Sequence, residues 1–428
     1  MSSIIANPEQ WCEIYDDAAV AKKYSLLMEA LSQPLSPELI EECDLGMLLL
    51  EFKDELDDNN LISDALALIE KVQQQQPQLY NQEFPYLDTF RISYYLFSNQ
   101  LELVRTSLTQ FKVNPIDGIE QITSVINLLS YYGVKDILLD FCSSIYHQVK
   151  NTGLEDELVK YIIQDLVERT YYQLQNGKTI DWELINTEIT QYSAKNQQLV
   201  AKLRQDLTTQ LVINEQFFTN FKNERERDNA LCLLSIAFSG YMATQKQVNF
   251  ITSQAIWETV FEFLANRKLP KKQLSHPDSY FEISEQQLDE YAGRLIGGLF
   301  SDQQALSVTL VWGIPYVYDF LSSKKVITEA LYQQVIAVTV TIKTHLIKFF
   351  NEHLWKYNFV HHWMHPDSVS DVDFTAEAAI FTTSIEKVTP LSLKVDKNAL
   401  KSMFSQMEDD LPPDILEELK RNKRLNGK

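Results

Sequence analysis

After Pro115 the next proline in the chain is Pro270. A helix interior rejects proline because its ring removes a backbone donor and clashes with the preceding turn. A proline-free stretch of that length, with few glycines inside it, reads as consecutive long helices. The whole chain carries only 11 glycines and 13 prolines in 428 residues. An all-β fold needs many turns built from those residues, so their scarcity argues against it. The expectation is an all-α protein.

Hydrophobic residues make up 45% and charged residues 23%, the balance of a globular protein rather than a disordered one. The length predicts two or three domains or one extended array. A formal charge of −21 excludes partners that need clustered cations. Nucleic-acid backbone would be repelled, and so would anionic membrane surfaces. A basic peptide or protein is the partner class that the charge permits. Cys12, Cys43, Cys142 and Cys232 are widely separated with no CxxC pair, so they read as small buried apolar residues of a reduced compartment. Residues 1–10 have neither a basic region nor an apolar run of the signal-peptide kind. The longest apolar stretch, Ala305 to Tyr318, is too short to span a bilayer and reads as a buried, kinked core helix. These points lead to a cytoplasmic expectation with no cofactor.

Helical spacing runs through residues 8–32, and a further helix starts after Ser36 with Pro37 in its first turn. From there pairs of apolar helices follow. Leu49, Phe52 and Leu56 precede a turn at Asn60; Ile62, Ala65, Ile69 and Val72 follow it, and Pro77 closes the pair. Leu101, Val104, Leu108 and Phe111 come after a turn at Asn99, and Ile137, Leu138, Phe141 and Ile145 after one at Gly133. Across residues 46–150 this pattern resembles tetratricopeptide-type helical repeats. That resemblance implies antiparallel hairpins stacked as an α-solenoid, with a small residue at the position of Ala65. The chain departs from the family pattern where Lys53, Ile92 and Ile126 replace a small residue in the first helix. It departs again where Val104 and Leu138 replace the central one.

The helical pattern continues over 154–176 to Asn176-Gly177, a left-handed stop. A long segment from Asp181 to about Val212 follows, with Ile185, Ile189, Tyr192, Leu199, Leu203, Leu207 and Leu211 on one stripe. Two arrangements satisfy such a stripe: a helix of an intramolecular bundle, or a homodimer seam. Residues 226–266 read as another hairpin containing Gly240. The proline- and lysine-bearing stretch 267–282 reads as a linker. It divides a hairpin array (1–266) from a C-terminal helical bundle (283–406), and a charged tail (407–428) follows. Gly293 and Gly297, four apart, predict tight helix packing in that second block, whose centre is expected in the apolar helices near 303–322 and 326–350.

Candidate chemistry is sparse. His361 and His365 are four apart and would share one helix face, which suits zinc or iron if Asp367, Asp371 or Glu352 completed the site. Pro366 and the surrounding Trp355, Tyr357, Phe359 and Trp363 favour aromatic packing instead. No phosphate-binding loop, dinucleotide loop or nucleophile elbow occurs. The leading expectation is therefore a non-enzymatic interaction or scaffold protein holding a protein or peptide on a helical-repeat surface. Tyr94, Tyr95, Tyr131 and Tyr132, near the ends of first helices, are the candidate partner-binding residues, with hairpin core as their other reading. The alternative is a metal-dependent enzyme built on the C-terminal histidines.

Overall fold

The computed structural model describes residues 8–35, 37–192, 197–267, 276–297, 301–385 and 390–391. Among the described residues every regular element is helical and no strand occurs. In chain order these are α1 (Pro8–Asp16), α2 (Val20–Ala30), α3 (Pro37–Glu42), α4 (Leu45–Asp58) and α5 (Ile62–Gln75). Next come α6 (Pro77–Phe97), α7 (Leu101–Val113), α8 (Ile119–Tyr131), α9 (Lys135–Ile145) and α10 (Glu155–Gln175). They are followed by α11 (Trp182–Thr190), α12 (Gln197–Thr208), α13 (Glu215–Asn220), α14 (Glu224–Gln245) and α15 (Phe250–Asn266). The last are α16 (Pro277–Phe281), α17 (Glu285–Ile296), α18 (Ser301–Ser323), α19 (Glu329–Phe350), a 3-10 helix (Asn351–His361) and α20 (Asp371–Thr383).

The turns between paired helices have a common physical origin. Asn60, Asn99, Gly133 and Gly177 all adopt positive φ, at 55°, 54°, 68° and 66°. In each case the next residue donates its N–H five positions back: Leu61 to Leu56, Gln100 to Tyr95, Val134 to Leu129 and Lys178 to Gln173, at 2.8–3.2 Å. This is the Schellman closure, which satisfies the last carbonyls of a helix and reverses the chain. Glycine enters the left-handed region freely and asparagine tolerates it. Helix starts are fixed as definitely. Asp181, Asn223, Asn249, Ser284 and Thr328 each accept backbone N–H bonds as N-caps, a role worth about 1 kcal/mol apiece.

The chain divides into two compact units, Met1–Glu83 with Ile385–Lys428, and Phe84–Ser384. In the first, Trp11, Leu27, Phe52, Leu56 and Ile69 are buried among α1–α5, and the Gln76 amide donates to the carbonyls of Leu31 and Gln33 to close the α2 end. In the second, α18 is the centre: Leu310, Val311, Ile314, Tyr318, Phe320 and Leu321 are all buried, with α15, α17 and α19 packed around it. Gln303–Ser323 has the length and apolar content of a membrane span, but 89% of its apolar window is buried in the protein. Its Pro315 lies inside the helix.

Several expectations need correction. Residues 8–32 form two helices, α1 and α2, and the helix expected from Ser36 is split into α3 and α4 by Asp44, whose φ is 41°. The 181–212 segment is likewise α11 and α12, which pack against each other. Ile185, Ile189, Val200 and Leu203 converge with Leu166 of α10 in one apolar cluster, so this part of the stripe packs within the fold. The 267–282 stretch separates no compact units, because α15 before it packs on α18 after it. Gly293 is not a tight contact, since a Cβ there would meet nothing within 4 Å. Cys12 and Cys43 are paired as a disulfide, with Cα atoms 6.0 Å apart, rather than lying as separate thiols. The expected tail, 407–428, lies outside the described residues.

Candidate functional site

The sequence nominated two sets of residues, four tyrosines and two histidines; the fold packs Tyr94, Tyr131 and Tyr132 against the 3-10 helix and turns His361 and His365 towards α20. Trp355, fully buried on the 3-10 helix, packs edge-on against Tyr94, Phe90 and Phe97 of α6, with ring centroids 5.6–6.4 Å apart. Further along, Phe359 stacks on Tyr131 at 4.9 Å, and His362 packs on Tyr132 at 4.9 Å. Trp363 Nε1 donates to the Tyr131 carbonyl at 2.9 Å. Tyr131 and Tyr132 are 3% and 7% exposed, and Tyr94 and Tyr95 are half-buried. Tyr131 and Tyr132 therefore serve as core, while Tyr94 and Tyr95 keep part of their surface open.

The histidines do not converge on a metal. The 3-10 helix ends at His361, so His365 lies beyond it, and four-residue spacing no longer means a shared face. His361 Nε2 lies 3.1 Å from Glu377 Oε1, while His365 Nε2 lies 2.7 Å from Asp371 Oδ1. Among the described residues no group of three His, Cys, Asp or Glu side chains is placed to hold a metal ion. Glu377 also accepts from Trp312 Nε1 at 2.6 Å and lies 3.8 Å from Lys343 Nζ. Burial works against its charge. The His361 hydrogen bond, the Lys343 ammonium and the Trp312 N–H outweigh burial and hold its carboxyl below the usual range. Burial lowers both Lys343 and His361, each partly offset by Glu377. This is a buried polar clasp joining α18, α19, α20 and the 3-10 helix.

The open surface lies elsewhere, along α14. Three clefts of about 690, 470 and 500 Å³ share lining residues end to end. Asp206 and Ile236 are common to the first and second, and Cys232, Ser235, Gln254 and Glu258 to the second and third. Together they form a row of adjoining clefts that follows α14 from Asp228 to Gln245, about 26 Å at the helical rise, and winds around the helix as it goes. Floor residues recur at helical spacing: Asp228, Cys232, Ser235, Ile236, Gly240 and Thr244. Leu231, Leu233, Ala237, Tyr241 and Gln245 of α14 line the clefts too, so small and large side chains alternate there. Larger side chains on the other faces, such as Leu234, Phe238 and Met242, enter the core. Gly240 is required here, because a Cβ would collide with the Tyr171 hydroxyl and ring of α10.

The groove walls combine apolar surface with acid. Ile163 and Val167 of α10, Leu199 and Leu203 of α12, and Phe250 of α15 line its middle cleft. Asp156, Asp206, Asp228, Glu258 and Glu262 supply five carboxylates, against two ammonium groups, Lys160 and Lys324. Lys160 is engaged in an ion pair with Glu258. The Cys232 thiol lies 3.5 Å from Asp206 Oδ2 as a donor; burial and the Asp206 charge push it up to about 11, so it stays protonated. Ser235 Oγ donates to Gln254 Oε1 at 2.9 Å, and Gln254 Nε2 donates to Ser239 Oγ at 2.7 Å. Sequence reasoning passed over this face. The available signal was a row of small and polar residues at one helical spacing, between apolar residues that fill the core. The chain matches no family among known protein families, no curated protein and no solved structure.

Proposed function

We propose that this protein is a non-enzymatic interaction scaffold that holds a peptide or protein partner along the α14 groove. The observation that carries the reading is the row of open clefts itself: three that share lining residues along α14 between Asp228 and Gln245, flanked by α10, α12 and α15. An elongated groove with apolar walls and a polar rim suits a partner segment lying along it better than a compact small substrate. The hairpins α6–α9, with α9 packed on both α7 and α8, fit a repeat-like stack of the tetratricopeptide kind as the frame that presents it.

A photo-crosslinking residue at Gln210, exposed on the groove wall, tests this in cells that make the protein, with exposed Val340 of α19 as the control position. A discrete adduct is expected from position 210 and none from 340. The adduct should disappear when Ala237→Trp fills the groove floor. Equal labelling from both positions, or an adduct indifferent to Ala237→Trp, overturns the reading.

A further inference from the structure

We infer that the groove's occupant is a basic amphipathic helix of a partner protein, and that one of its Arg or Lys side chains seats in the middle cleft beside Gln164 and Asp206. This rests on the α14 groove being the docking face and adds the chemistry of what docks there.

Three observations converge. The first is charge: five carboxylates face two ammonium groups, and Lys160 is already paired with Glu258. Walls that combine carboxylates with apolar surface attract cations and repel acidic or phosphate-bearing partners. The second is an unmet acceptor. Gln164 lines the middle cleft at 8% exposure, and its Oε1 meets no hydrogen-bond donor among the described residues. A buried acceptor left unpaired is unfavourable, and a guanidinium or ammonium supplies the donors it lacks. Its neighbour Gln254, by contrast, has its amide oxygen and nitrogen both engaged with Ser235 and Ser239. The third is shape. Among the described residues there is no strand whose edge a partner could extend, so strand addition is not available. Of the modes that need no strand edge, a helix laid in a groove between helices suits the apolar walls that α10 and α12 supply. The methylene stem of Arg or Lys suits walls of Ile163, Val167 and Leu203, with its charged head towards Asp206.

The test uses the full chain and a fluorescein-labelled synthetic helix with a Leu face and an Arg face, read by fluorescence anisotropy. Two control peptides accompany it: a scrambled sequence of the same composition, and one with Glu in place of Arg. The amphipathic basic peptide should bind, and raising the salt should weaken it. Asp228→Asn with Glu262→Gln should weaken binding roughly fivefold, whereas Glu41→Gln with Glu42→Gln, an equal charge change on α3, should leave it unchanged. Gln164→Leu should weaken binding roughly three- to tenfold while leaving the thermal midpoint of the free protein equal or higher. A merely structural glutamine would lower that midpoint. Equal binding of the scrambled peptide, or equal loss from the α3 pair and the groove pair, overturns the inference. So does an oligomer that Ala237→Trp converts to monomer, because the occupant would then be a second copy. If crosslinking from position 210 succeeds while the peptide shows no basic preference, the scaffold reading stands and the basic helix falls.

Discussion

The aromatic seam and the α14 groove lie in the same compact unit and have opposite characters. The seam is rich in the residue types that interfaces favour, Tyr and Trp, yet the fold closes it: Trp355, Tyr131 and Tyr132 are buried against one another's elements. The clefts along α14 are lined by Cys232, Ser235, Ala237, Gly240 and Thr244 together with Ile236, Leu233 and Tyr241, and they are open. Residue type alone did not distinguish them. Large aromatic side chains fill the space between helices, and small ones leave it unfilled. In this protein, the accessible surface lies where side chains are small and the neighbouring helices hold the walls apart.

The largest effect that would break this contrast is on the seam. Trp355→Ala should destabilise the protein by about 3–5 kcal/mol, the usual loss for a fully buried aromatic, read as a fall in the urea midpoint. If the loss were under about 1 kcal/mol, the seam would be a loose surface and the comparison would fail. Next comes the clasp: Glu377→Ala leaves Lys343 and His361 buried without their acceptor, and about 3 kcal/mol should be lost, with Glu377→Gln intermediate.

The clasp also sets a pH dependence. Burial lowers His361 from 6.5, and burial with the His361 charge lowers His362 likewise. Below 6.5 the unfolded chain gains protons that the folded chain refuses, so stability should fall as pH drops from 7 towards 5. Glu377 has the acidic counterpart: its stabilisation, present above 4.5, is lost as pH falls further through its lowered value. Denaturant midpoints measured across that range test the sign, and His361→Asn should flatten the upper part of the slope.

Two helical glycines give the smallest and sharpest comparison. Gly240→Ala on the groove floor must displace Tyr171 and should cost about 1–3 kcal/mol. Gly293→Ala in α17 has open space and should stabilise by about 0.5–1 kcal/mol through helix propensity alone. Thermal melts of the two variants should move in opposite directions.

The sequence made the helices and their reversals legible for a local reason. Asn60, Asn99, Gly133 and Gly177 close helices through bonds spanning five residues, and such bonds depend on residues that lie together in the chain. What it hid was decided at long range. Nothing near Asp181–Val212 announces that Ile185 and Leu203 turn onto Leu166, nor does the spacing of His361 and His365 reveal a 3-10 helix that parts them. The α14 face was hidden for the same reason, since a small side chain means a groove only when its neighbours stand off. The Cys12–Cys43 pairing depends on the break at Asp44, a left-handed turn that carried no strong signal.

That pairing has a topological consequence. Residues 12 to 43 form a covalently closed ring holding all of α2 and α3. A single protease cut at the turn around Ser32–Leu35 would open the ring without releasing either piece. The nicked chain should run as one species on a non-reducing gel and as two once thiol reductant is added. For that stretch, integrity of the backbone and integrity of the molecule are separate properties.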